Sequence, residues 1–275
     1  MNSFFIMARR AALPDNTGQE EYCFCMSVFS KVMERDYAMA MEVLKEKQQI
    51  AAARQELIKM GVSFTESSFR SLLRRFGLAR DIAVGDVVKS WDVLSTINFL
   101  NNHVDKNSPI LDIGCYASEV ILALHKYGYS RLTGADLNPN LRKMPYQEFI
   151  NYEITDFMHT KFDNASFQAI TSISVIEHGF DGPSLLKEIS RLLRIGGYFI
   201  ASFDYWPEKI DTTGINIFGM DWKIFSSDEV ATFVSDAAGY ALFPVDEMKY
   251  DSKEKVIHYG GKQYTFGWLA LSKLA

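Results

Sequence analysis

The 275-residue sequence predicts an α/β protein, a mostly parallel sheet with an antiparallel last strand and an N-terminal helical extension. Three observations carry this prediction. From Val87 onward, short apolar runs alternate with helical stretches, as strands joined by crossover helices do. The runs are apolar almost throughout, which suits strands covered on both faces. Near the C-terminus, the runs Leu242 to Glu247 and Tyr264 to Ser272 have no helical stretch between them and read as a hairpin closing the sheet edge.

The extension comes first. Glu20 to about Met60 has few breakers, with Val28, Val32, Met39, Val43, Leu44 and Ile50 recurring at intervals of three and four, and reads as two helices with a break near Asp36. Gly61 suits a helix end, and Thr65-Glu66-Ser67-Ser68 opens another helix carrying Phe69, Leu72, Leu73 and Phe76. Arg70, Arg74 and Arg75 on that segment form either a solvated face or a contact to an anionic substrate or partner. Residues 1–85 are expected to be a helical cap or dimerisation element, the latter implying a homodimer; residues 86–275 form the main domain.

In that domain, Lys89 to His103 is an amphipathic helix with Trp91, Leu94, Ile97 and Leu100 on one side. Pro109 precedes the strand Ile110 to Ile113. Next come a helix from about Ser118 to Tyr127, the strand Leu132 to Ala135, a short strand Ile150 to Ile154 and the strand Ala169 to Ser172. A helix from Gly182 to Leu193, a tight turn at Gly196-Gly197, the strand Tyr198 to Phe203 and a helix from Ser227 to Ala238 complete the pattern.

Composition narrows the function. An apolar content of 48%, a charged content of 23% and a formal net charge of -5 disfavour nucleic acid or a membrane surface as a partner. Cys23, Cys25 and Cys115 are too few for a disulfide framework or a zinc set and read as free thiols in a reducing cytosol. The patch Phe4-Phe5-Ile6-Met7-Ala8 is shorter than a signal-peptide core and is followed by Arg9 and Arg10 rather than preceded by basic residues. No run approaches the ~18 apolar residues of a membrane span. A cytoplasmic location is expected.

Open parallel sheets bind ligands beyond the carboxyl ends of their strands. After the first strand of the main domain comes Asp112-Ile113-Gly114-Cys115-Tyr116, and after the second comes Asp136-Leu137-Asn138-Pro139. Asp136 stands at the separation from Gly114 at which an acid can accept hydrogen bonds from ribose hydroxyls. A dinucleotide would require glycines where Tyr116 and Ser118 stand, because its pyrophosphate must approach the backbone closely. A cofactor without phosphate tolerates side chains there.

The order Ile110-Leu-Asp-Ile-Gly-Cys115, Gly134-Ala-Asp-Leu-Asn138, Thr155-Asp156-Phe157, Ser174-Val-Ile-Glu-His178 and Leu193-Arg-Ile-Gly-Gly197 resembles the class I, Rossmann-like S-adenosylmethionine-dependent methyltransferases. The resemblance spans about residues 87–272 and implies their seven-stranded sheet, with S-adenosyl-L-methionine as cofactor and S-adenosyl-L-homocysteine as product. It implies Asp112 and Gly114 near the methionine part, with the backbone of Cys115 and Tyr116 along its tail. Asp136 would hold the ribose, Leu137 would flank adenine, Asp156 would accept its amino group with Phe157 beside the ring, and Ser174 would sit near the transferable methyl. Asp136 and Asp156 as helix caps, and Leu137 and Phe157 as core residues, are the structural alternatives.

Methyl transfer to a hydroxyl needs positioning and a base. His178, Glu177 and Asp204 are the candidates, and no metal is expected, because Ser174-Val-Ile-Glu177-His178 lacks the first acid of the metal-binding Glu-x-x-Glu-His pattern. Tyr205 and Trp206, in the aromatic segment that follows, are candidates to stack on a sugar or aromatic acceptor. Lys89-Ser90-Trp91-Asp92 and Asp204-Tyr-Trp-Pro207 are similar to stretches of bacterial methyltransferases of surface-polysaccharide or secondary-metabolite pathways. The reading is methylation of a small polar acceptor at oxygen; the rivals are a non-catalytic binding or assembly protein of the same fold and an NAD-dependent oxidoreductase.

Overall fold

The computed structural model describes residues 39–65, 75–76, 82–217 and 219–275. The expectations placed on residues 1–38, on the helix opening at Thr65 with Phe69, Leu72 and Leu73, and on Arg70 and Arg74 lie outside them. The described chain builds strands β1 (Met41–Val43), β2 (Pro109–Ile113), β3 (Arg131–Asp136), β4 (Ile150–Ile154), β5 (Phe167–Ile173) and β6 (Leu193–Tyr205). These are followed by β7 (Asn216–Ile217), β8 (Met220–Asp221), β9 (Leu242–Pro244), β10 (Ile257–Tyr259) and β11 (Lys262–Lys273). The helices are α1 (Lys47–Lys59), α2 (Ser90–His103), α3 (Val120–Lys126), α4 (Gly182–Leu192) and α5 (Ser227–Ala238).

The main sheet runs β1-β11-β6-β5-β2-β3-β4, with β9 and β10 also on β11, while β7 and β8 make a separate hairpin. Pairs β2–β3, β3–β4, β2–β5 and β5–β6 are parallel, and β11 enters antiparallel to β6. The chain moves from β2 outward to β3 and β4, then returns to β5 on the other side of β2. The crevice where the strand order reverses therefore opens above the carboxyl ends of β2 and β5.

Each helix follows from its sequence. In α1 the buried residues Ile50, Ala53, Arg54 and Leu57 keep the spacing of one face, and Gln49 caps the Glu46 N–H at 2.9 Å. Asp181 caps α4, and Ser226 with Glu229 forms a capping box at α5. Strand β6 alternates as the pleat requires. Phe199, Ala201, Phe203 and Tyr205 join the core beneath α4 and α5. On the α2 side, Ser202 Oγ donates to Asp92 Oδ2 at 2.7 Å, and Trp268 Nε1 of β11 donates to Thr96 Oγ1 at 3.0 Å.

Two expectations change. Met41–Val43 is a strand rather than part of a helix, because it pairs antiparallel with Gly267–Leu269 on the free edge of β11; tertiary pairing overrides helical spacing there. Gly196-Gly197 does not start a new strand but sits inside β6. The register passes from Leu193 opposite Phe167 to Tyr198 opposite Ala169, so the residues between bulge outward. Among the described residues no helix is long and apolar enough to cross a membrane.

Helix α1 is fastened to the rest by a buried ion pair. Arg54 Nη1 and Nη2 donate to the two oxygens of Glu119, just before α3, at 2.7 and 2.8 Å, and Arg54 Nε donates to Ser90 Oγ at 2.9 Å. Ser63 Oγ accepts a further bond from Arg54, and the Phe64 N–H donates to Glu119. Side-chain exposures of 7% and 1% leave almost no solvent to replace a lost partner. Replacing Arg54 alone by Leu is therefore expected to destabilise the fold by about 3–5 kcal/mol, since it strands a buried carboxylate. The double variant Arg54→Leu/Glu119→Leu is expected to recover much of that loss in a thermal melt. A single variant no worse than the double would contradict a paired, desolvated role.

Candidate active site

The loop after β2 is shaped by one glycine. Gly114 has φ +69°, and a Cβ there would lie 2.4 Å from Val175 Cγ2, so both backbone and space demand glycine. Its N–H donates to Ala135 O at 2.8 Å. Cys115 turns its buried sulfur toward Gly134, where a Cβ would lie 2.6 Å from Sγ, and burial pushes its thiol pKa up. Only the backbone of Cys115 is thus offered to a ligand in the loop.

Asp136 ties the two strand ends together. Its Oδ2 accepts the Tyr116 N–H at 2.9 Å and its Oδ1 accepts the Asn138 N–H at 2.8 Å. Ala117 takes φ +61° and its carbonyl accepts the Gly85 N–H at 3.0 Å. The left-handed conformation in this loop therefore falls on an alanine between Tyr116 and Ser118. Ser118 Oγ accepts the Val120 N–H at 3.2 Å at the entry to α3.

Asp112 lies beneath this loop and is buried. Thr171 Oγ1 donates to its Oδ1 at 2.6 Å. Burial raises its carboxyl to about 7, although hydrogen bonds from Thr171 and Ser118 pull the other way. Leu137 is 60% exposed beside Asp136. Asp156, half-exposed, accepts the Met158 N–H at 2.9 Å within a turn, and no helix follows for it to cap. Phe157 packs, partly buried, against the core. Ser174 stands at φ +55° with its N–H on Ser202 O, and its buried hydroxyl finds no hydrogen-bond partner among the described residues.

Beyond Ser174 opens a cleft of about 880 Å³. Glu177, His178 and Asp204 line it, with Lys89, Trp222, Tyr264 and Phe266, while Lys47, Ile50 and Ala51 of α1 form part of its wall. Trp222 Nε1 donates to Asp204 Oδ2 at 2.7 Å, and Lys89 Nζ lies 3.8 Å from Asp204 Oδ1 and 3.5 Å from the centre of the Phe266 ring. Three carboxylates crowd this corner: Asp92, Glu177 and Asp204 are all buried. Burial, reinforced by the Asp204 charge, holds Glu177 well above the ordinary carboxylate range. Burial raises Asp204 despite Lys89 and Trp222, and raises Asp92 to about 6. The His178 imidazole is lowered to about 4 by burial and by the Lys89 charge, which leaves it neutral at physiological pH.

The structure thus brings together His178, Glu177, Asp204 and Ser174 on one cleft, with Asp112, Gly114, Tyr116 and Asp136 at the adjacent strand ends. It does not bring Tyr205 there. Strand β6 continues through Tyr205, so its side chain alternates to the opposite face from Asp204. It is fully buried, with its hydroxyl bonded to Tyr250 O at 2.6 Å and Ser227 Oγ at 2.8 Å, and it is not an acceptor wall. Trp206 does not line the cleft either; its half-buried ring carries the Lys255 ammonium at 4.7 Å. The aromatic wall is instead Trp222, Tyr264 and Phe266. Sequence reasoning missed Lys89 and Asp92 as well. For Asp92 the signal was an acid between Trp91 and Val93 on the buried face of a helix; Lys89 had none.

Comparison with known proteins bears on the fold and the domain. Residues 111–201 match the family model described as a methyltransferase domain. Among curated proteins, the chain is 28% identical over 141 residues to the demethylmenaquinone methyltransferase of Staphylococcus epidermidis, a match covering 48% of this chain and 56% of that protein. It is 25% identical over 130 residues to the eEF1A lysine and N-terminal methyltransferase of Danio rerio, covering 42% of this chain and 19% of the relative. The matches thus span between a fifth and little more than half of these relatives. Among solved structures, geranyl diphosphate C-methyltransferase from Streptomyces coelicolor superposes with a TM-score of 0.50 at 17% identity, covering 76% of this chain and 99% of that one. Residues 111–201 thus match a methyltransferase domain, and the sheet around them has the mostly parallel, Rossmann-like fold of the class I S-adenosylmethionine-dependent methyltransferases.

Proposed function

We propose that the chain binds S-adenosylmethionine over the carboxyl ends of β2 and β3 and directs methyl transfer to an oxygen of a small polar acceptor, a sugar or metabolite, in the cleft beyond Ser174. One observation carries this reading: the glycine loop closed by Asp136, whose Gly114 packs against Val175, adjoins the 880 Å³ cleft that Ser174 lines, where the strand order reverses.

The residues present fit the cofactor. Asp136 uses one lone pair on each oxygen for backbone N–H groups and keeps capacity to accept ribose hydroxyls. Leu137, exposed and apolar, offers a surface for adenine, with Asp156 as acceptor for its amino group and Phe157 beside it. Asp112 and the backbone of Gly114, Cys115 and Tyr116 face the amino-acid part, and the unsatisfied Ser174 hydroxyl offers a polar contact near the sulfur. When bound, the cofactor supplies a methyl group on a positively charged sulfonium, open to in-line attack.

The chain's own task is to place the acceptor and take its proton. His178 lines the cleft in its neutral form and is the base. Glu177 favours its protonated form and Asp204 is engaged with Trp222 and Lys89, so both are binding groups. Within residues 1–85, α1 borders the cleft through Lys47, Ile50 and Ala51, which favours a cap over a dimerisation element. A cytoplasmic enzyme working on a soluble acceptor completes the reading.

Three outcomes test it. Calorimetry should find that Asp136→Ala weakens S-adenosylmethionine binding by roughly tenfold or more, as loss of a charge-assisted pair of hydrogen bonds does; unchanged affinity would remove Asp136 from the ribose. His178→Ala should lower kcat with the acceptor by about a hundredfold or more and leave cofactor affinity intact, since only the base is lost. Normal turnover would reassign His178. Asp112, raised by burial to about 7, should lose its proton when the cofactor's ammonium lies beside it. Binding then favours the deprotonated form, so affinity is full above pH 7 and declines as pH falls below it. Asp112→Asn should flatten this dependence, and a wild-type profile already flat between pH 8 and 5.5 would argue against contact.

A further inference from the structure

The cleft carries one electrostatic mismatch that methyl transfer to a plain hydroxyl leaves unexplained. Glu177 and Asp204 line it and the buried Asp92 lies behind them, with Lys89 as the cation that acts on all three. Asp92 is satisfied on one oxygen by Ser202 and Asp204 on one oxygen by Trp222. Glu177 is different: its side chain is buried, 1% exposed, it lines the cleft, and neither carboxylate oxygen has a hydrogen-bond partner among the described residues. A carboxyl held this way loses its solvation without return unless a donor completes the site.

Lys89 shows what such a donor looks like here. Its ammonium lies between a carboxylate, Asp204, and an aromatic face, Phe266, at 3.8 and 3.5 Å. The cleft offers the same pairing a second time, with Glu177 as the acid and Trp222, Tyr264 and Tyr259 as the aromatic wall. The neutral imidazole of His178 adds no competing charge. Among the described residues no group of three His, Cys, Asp or Glu side chains is placed to hold a metal ion, so the arrangement suits an organic cation.

We propose that the acceptor carries an ammonium group, seated against Glu177 within the aromatic wall, so that the substrate class is a hydroxylated amine such as an amino sugar or amino alcohol. This rests on the methyl-transfer reading above and deepens it: the charge anchors the acceptor while a hydroxyl of the same molecule faces Ser174 and His178. No new covalent step is added. Glu177 is a specificity-determining binding residue, and the cost of its burial is returned when the cation arrives.

The test uses the full-length protein loaded with S-adenosyl-L-homocysteine and matched pairs of probes: glucosamine against glucose and N-acetylglucosamine, and ethanolamine against ethylene glycol. Ligand-observed NMR titration should give each amine at least about a tenfold tighter Kd than its neutral counterpart, the worth of one charge-assisted contact. Glu177→Gln should erase the preference while S-adenosyl-L-homocysteine affinity and thermal midpoint stay near wild type. Equal binding of amine and neutral partner, no binding by either amine, or a preference that survives in Glu177→Gln would overturn the proposal. The wild-type pairs decide the question even where the variant folds poorly. Failure of S-adenosyl-L-homocysteine to bind in the first step would instead overturn the methyl-transfer reading. A Glu177→Gln variant that loses affinity for S-adenosylmethionine, but not for the uncharged-sulfur product, would assign the acid to the sulfonium and also defeat the amine.

Discussion

The buried pair between Arg54 and Glu119 is the constraint on which the rest of the site depends. Glu119 precedes α3, at the end of the loop after β2, and Arg54 belongs to α1, more than sixty residues earlier. The guanidinium reaches Ser63, Ser90 and the Asp86 carbonyl as well as Glu119. One planar fork therefore fixes the segment leading into α2, the start of α2 and the entry to α3. The same segment places the Gly85 N–H on Ala117 O and carries Lys89 to the mouth of the cleft. Removing water from this pair is costly, and its geometry returns that cost only as long as every partner is present. The loop inherits its position from that requirement.

A second constraint acts on the opposite wall. Strand β6 must send Phe199, Phe203 and Tyr205 into the core under α4 and α5, and its pleat then forces Ser202 and Asp204 toward α2. The acids of the cleft are a consequence of that alternation. Asp92 meets Ser202, Asp204 meets Trp222 and Lys89, and Glu177, delivered by the turn after β5, has no hydrogen-bond partner for its carboxylate oxygens among the described residues. Burial raises all three carboxyls, and the Asp204 charge adds to the rise of Glu177 and Asp92. The cleft is a reservoir of acceptor capacity before any ligand enters it.

Much of this was legible in the sequence. Apolar runs and their spacing located β2 to β6 and α2 to α5 within a few residues, because a parallel sheet covered on both faces leaves a strong periodic trace. The positions of Gly114, Asp112 and Asp136 were legible for the same reason: they lie at or just beyond the carboxyl ends of strands that could be placed. What failed depended on partners remote in the chain. Met41–Val43 becomes a strand only because β11 offers an edge more than two hundred residues later. Tyr205 seemed available to a ligand because β6 was expected to end at Phe203; two further residues of strand decide which face it takes. The ion pair of Arg54 and the role of Lys89 leave no local signature, since neither spacing nor propensity encodes a contact across the fold.

The loop after β2 illustrates how a departure from a sequence pattern can be absorbed. Three glycines in such a loop serve a tight turn, a close ligand approach and helix packing. Here the first need is met by Gly114 alone, where both φ and the Val175 side chain forbid anything larger. The left-handed turn that follows is taken by Ala117, whose small side chain limits the strain to the order of 1–3 kcal/mol and whose carbonyl is held by Gly85. Tyr116 contributes its N–H to Asp136 and so needs no special conformation of its own. The helix-packing role passes to Glu119 and Arg54. The chain has replaced backbone permissiveness by side-chain anchoring. A loop anchored in this way holds its N–H groups to protein acceptors rather than leaving them convergent for a phosphate, which is why it suits a ligand recognised through its ribose and its amino-acid end.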